Sequence, residues 1–150
     1  MESLVFSGDP LSSQTVTFII SLALAVFLGI LLGAERESRG KDAGISTNAL
    51  VVAGSMLFTF MSILIDPEEP ARIASQVVVG IGFLGAGLIW KEGATVRNLT
   101  TAASMWMAAA IGVTVGAGYY AIAIIATTAA LIIPRIPHLH DTPPPQTPKE

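Results

Sequence analysis

Residues 10–34 read PLSSQTVTFIISLALAVFLGILLGA and contain no Asp, Glu, Lys or Arg. An α-helix needs about 20 apolar residues to cross the ~30 Å hydrocarbon core of a bilayer. This stretch is therefore long enough and apolar enough to span a membrane once. Three further stretches also lack charged residues: 43–65, 73–90 and 98–134.

The last uncharged stretch is too long for a single helix. Its middle reads Gly116-Ala117-Gly118-Tyr119-Tyr120, which combines a glycine break with tyrosines of the kind that mark membrane interfaces. We therefore predict an all-α integral membrane protein, a compact bundle of five transmembrane helices at about 15–34, 45–65, 73–90, 100–116 and 118–134.

The composition of the whole chain agrees with a membrane protein. Of its 150 residues, 52% are apolar and 13% are charged, whereas soluble domains carry about 25% charged residues. The net charge of −3 provides no basic surface for nucleic acid. The chain has no cysteine, so disulfides and thiolate metal ligands are excluded.

The basic residues are concentrated on one side of the predicted bundle. The loops after helices one and three and the segment after helix five hold Arg36, Arg39, Lys41, Lys91, Arg97, Arg135 and Lys149, whereas the opposite side holds only Arg72, beside the acidic run 66–69. The positive-inside rule then predicts the N-terminus outside and the C-terminus in the cytoplasm. We expect residues 1–14 to form a short extracytoplasmic segment, 15–134 the transmembrane domain, and 135–150 a disordered proline-rich tail.

Small residues within the helices predict close helix packing, because helices in lipid associate largely through backbone approach at such positions. Residues 80–85 read GIGFLG and match the dinucleotide-binding pattern GxGxxG, but no acidic residue follows about twenty positions later, as that site requires. We expect helix three near the centre of the bundle, and a homodimer through one small-residue face stays open. The glycines assigned to packing are Gly29, Gly33, Gly80, Gly82, Gly85, Gly87 and Gly112.

Polar residues at the cytoplasmic helix ends form the candidate functional site. Helix ends on one side of a membrane lie at similar depth, so their side chains can converge. We call this set the polar collar; it comprises Glu35, Arg36, Asn48, Arg97, Asn98, Thr100 and Thr101. A structural interpretation stays open, in which Asn98 or Thr100 caps helix four and Asn48 bridges two helices. On the outer side Arg72 and Gln76 lie one turn apart and are expected to pair with the acidic loop.

The chain contains no HExxH, GxSxG or Walker lysine motif. No Asp or Glu is predicted near a bilayer midplane, where a proton relay would need one. We therefore expect no catalysis, no cofactor and no bound metal.

Four stretches, in order, carry a family resemblance: GAERE at 33–37, GISTNAL at 44–50, RIASQVVVGIGFLGAG at 72–87 and VRNLTTAA at 96–103. They resemble the MgtC/SapB family of bacterial inner-membrane proteins over about 15–134. The resemblance implies a five-helix hydrophobic domain in the inner membrane. The family often has Gly where this chain has Asn98. Many members continue into an ACT-like cytoplasmic domain where this chain has its proline-rich tail, so we expect the hydrophobic domain to stand alone.

The resemblance also implies a role in growth at low magnesium and in survival inside macrophages, through modulation of the membrane sector of the F-type ATP synthase. Our first hypothesis is a non-enzymatic regulator that binds another integral membrane protein within the lipid bilayer. The alternative is a small oligomeric channel or transporter for Mg²⁺ or another ion. Mg²⁺ keeps several waters and needs only one or two carboxylates, so Glu35 would serve in that case.

Overall fold

The apolar stretches fold into helices, because a helix satisfies its backbone hydrogen bonds within one segment. A computed structural model describes residues 13–93 and 95–136. The elements are α1 (Ser13–Ser38), α2 (Ile45–Ile65), α3 (Ala71–Leu88), β1 (Trp90–Glu92), β2 (Thr95–Arg97), α4 (Leu99–Gly116) and α5 (Tyr120–Ile132), followed by a 3₁₀ turn at Ile133–Arg135. Most of the predicted N-terminal segment and tail, residues 1–12 and 137–150, lies outside the described residues.

The prediction of a helical membrane protein is confirmed at this level. Helices α1 to α4 are each long and apolar enough to cross a membrane. Helix α5 is shorter than the predicted span 118–134. Gly118, with φ of +81°, and Tyr119 form the turn before it, and Pro134 lies in the 3₁₀ turn that ends it.

Two boundaries differ from the prediction in ways that matter for the collar. Helix α1 continues to Ser38 instead of ending at 34, so Glu35 and Arg36 are helical. Helix α3 ends at Leu88 and is followed by an antiparallel hairpin in which Trp90 pairs with Arg97. The strands have three residues each, too few for alternating hydrophobicity to reveal them. The prediction of an all-α fold is therefore wrong at this hairpin, which is a short antiparallel β-structure.

Helix α2 lies between α1 and α4, and glycines bring all three helices close together. A methyl group at Gly29 would lie 2.6 Å from the Cα of Ala49, and one at Gly33 would overlap the backbone of Ile45. One at Gly112 would overlap the carbonyl oxygen of Val52. The backbones of α1 and α4 therefore rest directly on α2.

Helix α3 lies at the edge of the bundle, so the expectation that it occupies the centre is wrong for a single chain. Only Ile81 and Gly85 are buried on it. A methyl group at Gly80, Gly82 or Gly87 would meet nothing within 4 Å, and one at Gly85 would make an ordinary 3.6 Å contact with Ala102. Gly80, Gly82 and Gly87 therefore do not bring α3 into close contact with another helix of this chain.

Candidate functional site at the α1–α2 end of the bundle

Arg36 in the last turn of α1 connects three parts of the chain. Its side chain is buried, with 6% of the residue exposed. The Nε donates to the carbonyl oxygen of Asp42 at 2.9 Å, and Nη2 donates to Oγ1 of Thr101 at 2.6 Å. No ion pair within the described ranges includes Arg36. The guanidinium therefore holds the α1–α2 loop and the first turn of α4 through neutral acceptors.

Asn98 precedes α4 in the left-handed conformation, with φ of 62° and ψ of 15°. Its side chain makes no cap hydrogen bond to α4. Its Nδ2 instead donates to Oδ2 of Asp42 at 2.9 Å. Gly and Asn are the residues that adopt this conformation most readily.

Asp42 belongs to the candidate site, and the sequence analysis did not single it out. Its carbonyl oxygen binds Arg36 and its carboxylate binds Asn98. We call Arg36, Asp42, Asn98 and Thr101 the Arg36 cluster. The signal that could have found Asp42 is its position three residues before the start of α2, because negative charge is favoured near a helix N-terminus.

Asn48 is fully buried in the first turn of α2. Its Nδ2 donates to the carbonyl oxygens of Ala43 and Gly44, so it bonds the turn before its own helix and does not bridge two helices as predicted. Ala43 has φ of 59°, a conformation that is costly for a residue with a Cβ. Asn48 Oδ1 has no hydrogen-bond partner among the described residues. The amide therefore stabilises the turn that contains the strained residue Ala43.

Glu35 connects α1 to the end of α5. Its side chain is 7% exposed, and its Oε1 lies 3.2 Å from Nη1 of Arg39 and 3.8 Å from Nε of Arg135. Arg135 was predicted in a disordered tail, but it belongs to the 3₁₀ turn. Glu35 therefore pairs with Arg39 on its own helix and with Arg135 in the turn after α5.

Arg97 and Thr100 do not join the Arg36 cluster. Arg97 lies in the hairpin, where its Nε is 3.2 Å from Oε2 of Glu92 and its guanidinium is 5.7 Å from the ring centroid of Trp90. Thr100 is exposed, whereas Thr101 is buried. Neighbouring residues on a helix point about 100° apart, so only one of the two threonines can reach Arg36.

At the opposite end, Arg72 and Gln76 do not act as a pair. The Nε of Arg72 lies 3.1 Å from Oδ2 of Asp66, as one of the expected pairings proposed. Gln76 lines a groove between α2 and α3. The turn is fixed by Ser62, which was not singled out in the sequence: its Oγ donates to the carbonyl oxygen of Pro70 and accepts from the Ile73 N–H.

The chemistry of the Arg36 cluster suits the positioning of helices. It is a hydrogen-bond network around a buried cation, joining α1, the following loop and α4. Across residues 13–93 and 95–136, no group of three or more His, Cys, Asp or Glu side chains is arranged to hold a metal ion.

We expect Asn98→Gly to change the free energy of unfolding by less than about 0.5 kcal/mol and Asn98→Ala to lower it by about 1–2 kcal/mol. Both variants lose the solvent-exposed hydrogen bond to Asp42. Glycine offsets this loss because it has no Cβ to strain the left-handed conformation, whereas alanine has a Cβ and no compensating bond. Thermal unfolding of the purified chain in detergent measures the difference. Equal destabilisation by both variants would assign the role of Asn98 to its hydrogen bond alone.

Comparison with known proteins gives consistent matches. The model of the MgtC family matches residues 22–139. Protein MgtC of Salmonella typhimurium (strain LT2) is 50% identical over 110 residues, which are 73% of this chain and 48% of that protein. Protein MgtC of Brucella abortus (strain 2308) is 50% identical over 107 residues, 71% of this chain and 45% of that protein. The chain thus spans about half the length of the curated relatives it matches. No solved structure matches it.

Proposed function

This chain belongs to the MgtC family, and we propose that it is a non-enzymatic regulator that binds another integral membrane protein through one face of α3. That face consists of Val79, Gly82, Phe83 and Ala86, and we call it the free face of α3. The observation that carries the proposal is that α3 packs along one side only. Val79 is 68% exposed and Phe83 is 81% exposed.

The residue types on the free face of α3 favour a protein partner over lipid alone. Gly82 and Ala86 are four residues apart and therefore lie on one side of the helix. A methyl group at Gly82 would meet nothing within 4 Å of this chain. Small residues at this spacing let a second helix approach the backbone closely, and such packing drives helix association in membranes.

We propose the orientation given by the basic residues, with the α1–α2 end in the cytoplasm of a bacterium and the chain in its inner membrane. The proximity of Arg135 to Glu35 supports this, because it brings a further basic residue to the end that carries Arg36 and Arg39. Arg72 is the one basic residue in the α2–α3 turn at the other end.

The partner we propose is the membrane sector of the F-type ATP synthase, with the chain acting in magnesium limitation and virulence. The family resemblance implies this role. The free face of α3 supports it in one respect, because it offers an apolar, small-residue surface suited to a helical membrane partner.

The test is ATP-driven proton pumping in inverted membrane vesicles from the source bacterium with the chain deleted, at its normal level or overproduced. We expect pumping to fall as the chain increases. Gly82→Leu should restore pumping, because its side chain keeps a partner helix away from the free face of α3. Gly54→Leu adds the same bulk on α2, away from the free face of α3, where a methyl group also meets nothing within 4 Å, and it should inhibit like the unaltered chain.

Two results would count against the proposal. Inhibition by Gly82→Leu equal to that of the unaltered chain would show that the free face of α3 is not the contact. Pumping that is independent of the amount of chain would remove the ATP synthase as the partner. In that case Mg²⁺ flux in proteoliposomes would test the ion-transport alternative.

A further inference from the structure

A groove of about 470 Å³ runs between α2 and α3. Gly54 on α2 and Gly80 on α3 both line it, and a methyl group at either position would meet nothing within 4 Å. The groove exists because neither helix fills the space between them. Its lining is mostly apolar, and Ser55 and Gln76 supply its polar side chains. We call it the α2–α3 groove.

The length of the α2–α3 groove matches one leaflet of a bilayer. On α3 its lining extends from Ile73 to Leu84, and at 1.5 Å per residue this separation corresponds to about 16 Å. Half of a ~30 Å hydrocarbon core is about 15 Å. A groove of this length accommodates one lipid acyl chain that begins at the α2–α3 turn.

Charges of both signs lie at the turn where the α2–α3 groove begins. Arg72 directly precedes Ile73, and its side chain is 59% exposed. Its Nε contacts Asp66, while its terminal nitrogens have no hydrogen-bond partner in the described part of the chain. Glu68 and Glu69 are exposed in the same turn. One cation beside three carboxylates complements a headgroup with a phosphate and an ammonium, and it disfavours a purely anionic one.

We propose that the α2–α3 groove and this turn bind one zwitterionic phospholipid of the phosphatidylethanolamine class. Its acyl chain occupies the groove, its phosphate accepts from Arg72, and its ammonium lies among the carboxylates of the turn. Gln76 lies one helical turn further along α3, at the depth where a glycerol ester follows the phosphate, and its amide donates to the ester carbonyl. The site is separate from the free face of α3 and goes beyond the proposed regulatory function.

The experiment is native mass spectrometry of the full chain, purified in mild detergent and mixed with equal amounts of phosphatidylethanolamine and phosphatidylglycerol. We expect one retained phosphatidylethanolamine per chain. Gly80→Leu fills the groove and should lower retention at least about tenfold. Gly82→Leu adds the same side chain to the other side of α3 and should retain lipid normally. Arg72→Gln should lower retention about tenfold, the effect of losing a hydrogen bond to a charged group, and should keep the preference for phosphatidylethanolamine, because the three carboxylates that disfavour an anionic headgroup remain.

Three results would overturn the lipid site. Equal retention by Gly80→Leu and Gly82→Leu would place the lipid outside the groove. Equal retention of the two lipids by the unaltered chain would refute the headgroup assignment. A dimer of the unaltered chain that Gly80→Leu dissociates would show that a second copy fills the groove. Because these measurements use the isolated chain, they are independent of the proton-pumping result.

Discussion

We expect Gly112→Leu to prevent the chain from folding. A methyl group at Gly112 would already overlap the carbonyl oxygen of Val52 and lie 2.7 Å from the Cβ of Ser55. The backbone of α2 cannot yield as a flexible side chain would, so a leucine must separate α2 from α4. Overpacking by even a few methylene groups costs about 1–3 kcal/mol in well-packed cores, and here the clash is with the main chain. The measurement is the yield of monodisperse protein in detergent.

Gly87→Leu is the matched control for Gly112→Leu. It makes the same substitution in a helix of equal length, where a methyl group would meet nothing within 4 Å. We expect it to purify and melt like the unaltered chain. A Gly112→Leu variant that purifies and melts as the Gly87→Leu variant does would show that α2 and α4 are not in backbone contact.

The glycines show how far the sequence could predict the packing. Charge gaps give the number and approximate extent of the helices, because lipid excludes charged groups over a fixed thickness. Glycine spacing indicates close approach on a helix face, and the structure places Gly29, Gly33 and Gly112 in such contacts. The glycines of α3 led to the same expectation, but a methyl group at Gly80 or Gly82 would meet nothing within 4 Å. A glycine permits approach but does not supply the neighbour, which depends on how helices distant in sequence are arranged.

The polar collar was predicted from the depth of helix ends, and depth alone does not determine which groups meet. The predicted collar included both Arg36 and Thr101, and in the structure Arg36 donates a hydrogen bond to Thr101. It also included Arg97, which the unpredicted hairpin carries to Glu92. It omitted Asp42, because a loop residue in a charged stretch gives no periodic signal. The sequence predicts the first residue of α4 only to within a few positions. A shift of one residue decides whether Thr100 or Thr101 faces the bundle.

We expect Arg36→Leu to lower the free energy of unfolding by about 2–4 kcal/mol. The substitution leaves Thr101 Oγ1 and the Asp42 carbonyl oxygen without their charged donor, and a hydrogen bond to a charged group contributes about 1.5–3 kcal/mol. Arg39→Leu is the control on the same helix, because the Arg39 side chain is 37% exposed and, among the described residues, pairs with Glu35 alone. It should cost less than about 1 kcal/mol. Unfolding in detergent with increasing denaturant measures both.

A double-mutant cycle shows whether the Arg36 effect arises from its bond to Thr101. Thr101→Val keeps the shape of the side chain and removes the acceptor at 2.6 Å, so we expect a loss of about 1–3 kcal/mol because a buried donor then lacks its partner. Thr100→Val makes the same substitution at the exposed neighbour and should stay within about 0.5 kcal/mol of the unaltered chain. The Arg36→Leu and Thr101→Val effects should be strongly non-additive, since residues in direct contact couple. Additive effects, or a loss at Thr100 equal to that at Thr101, would contradict the hydrogen bond that connects α1 to α4.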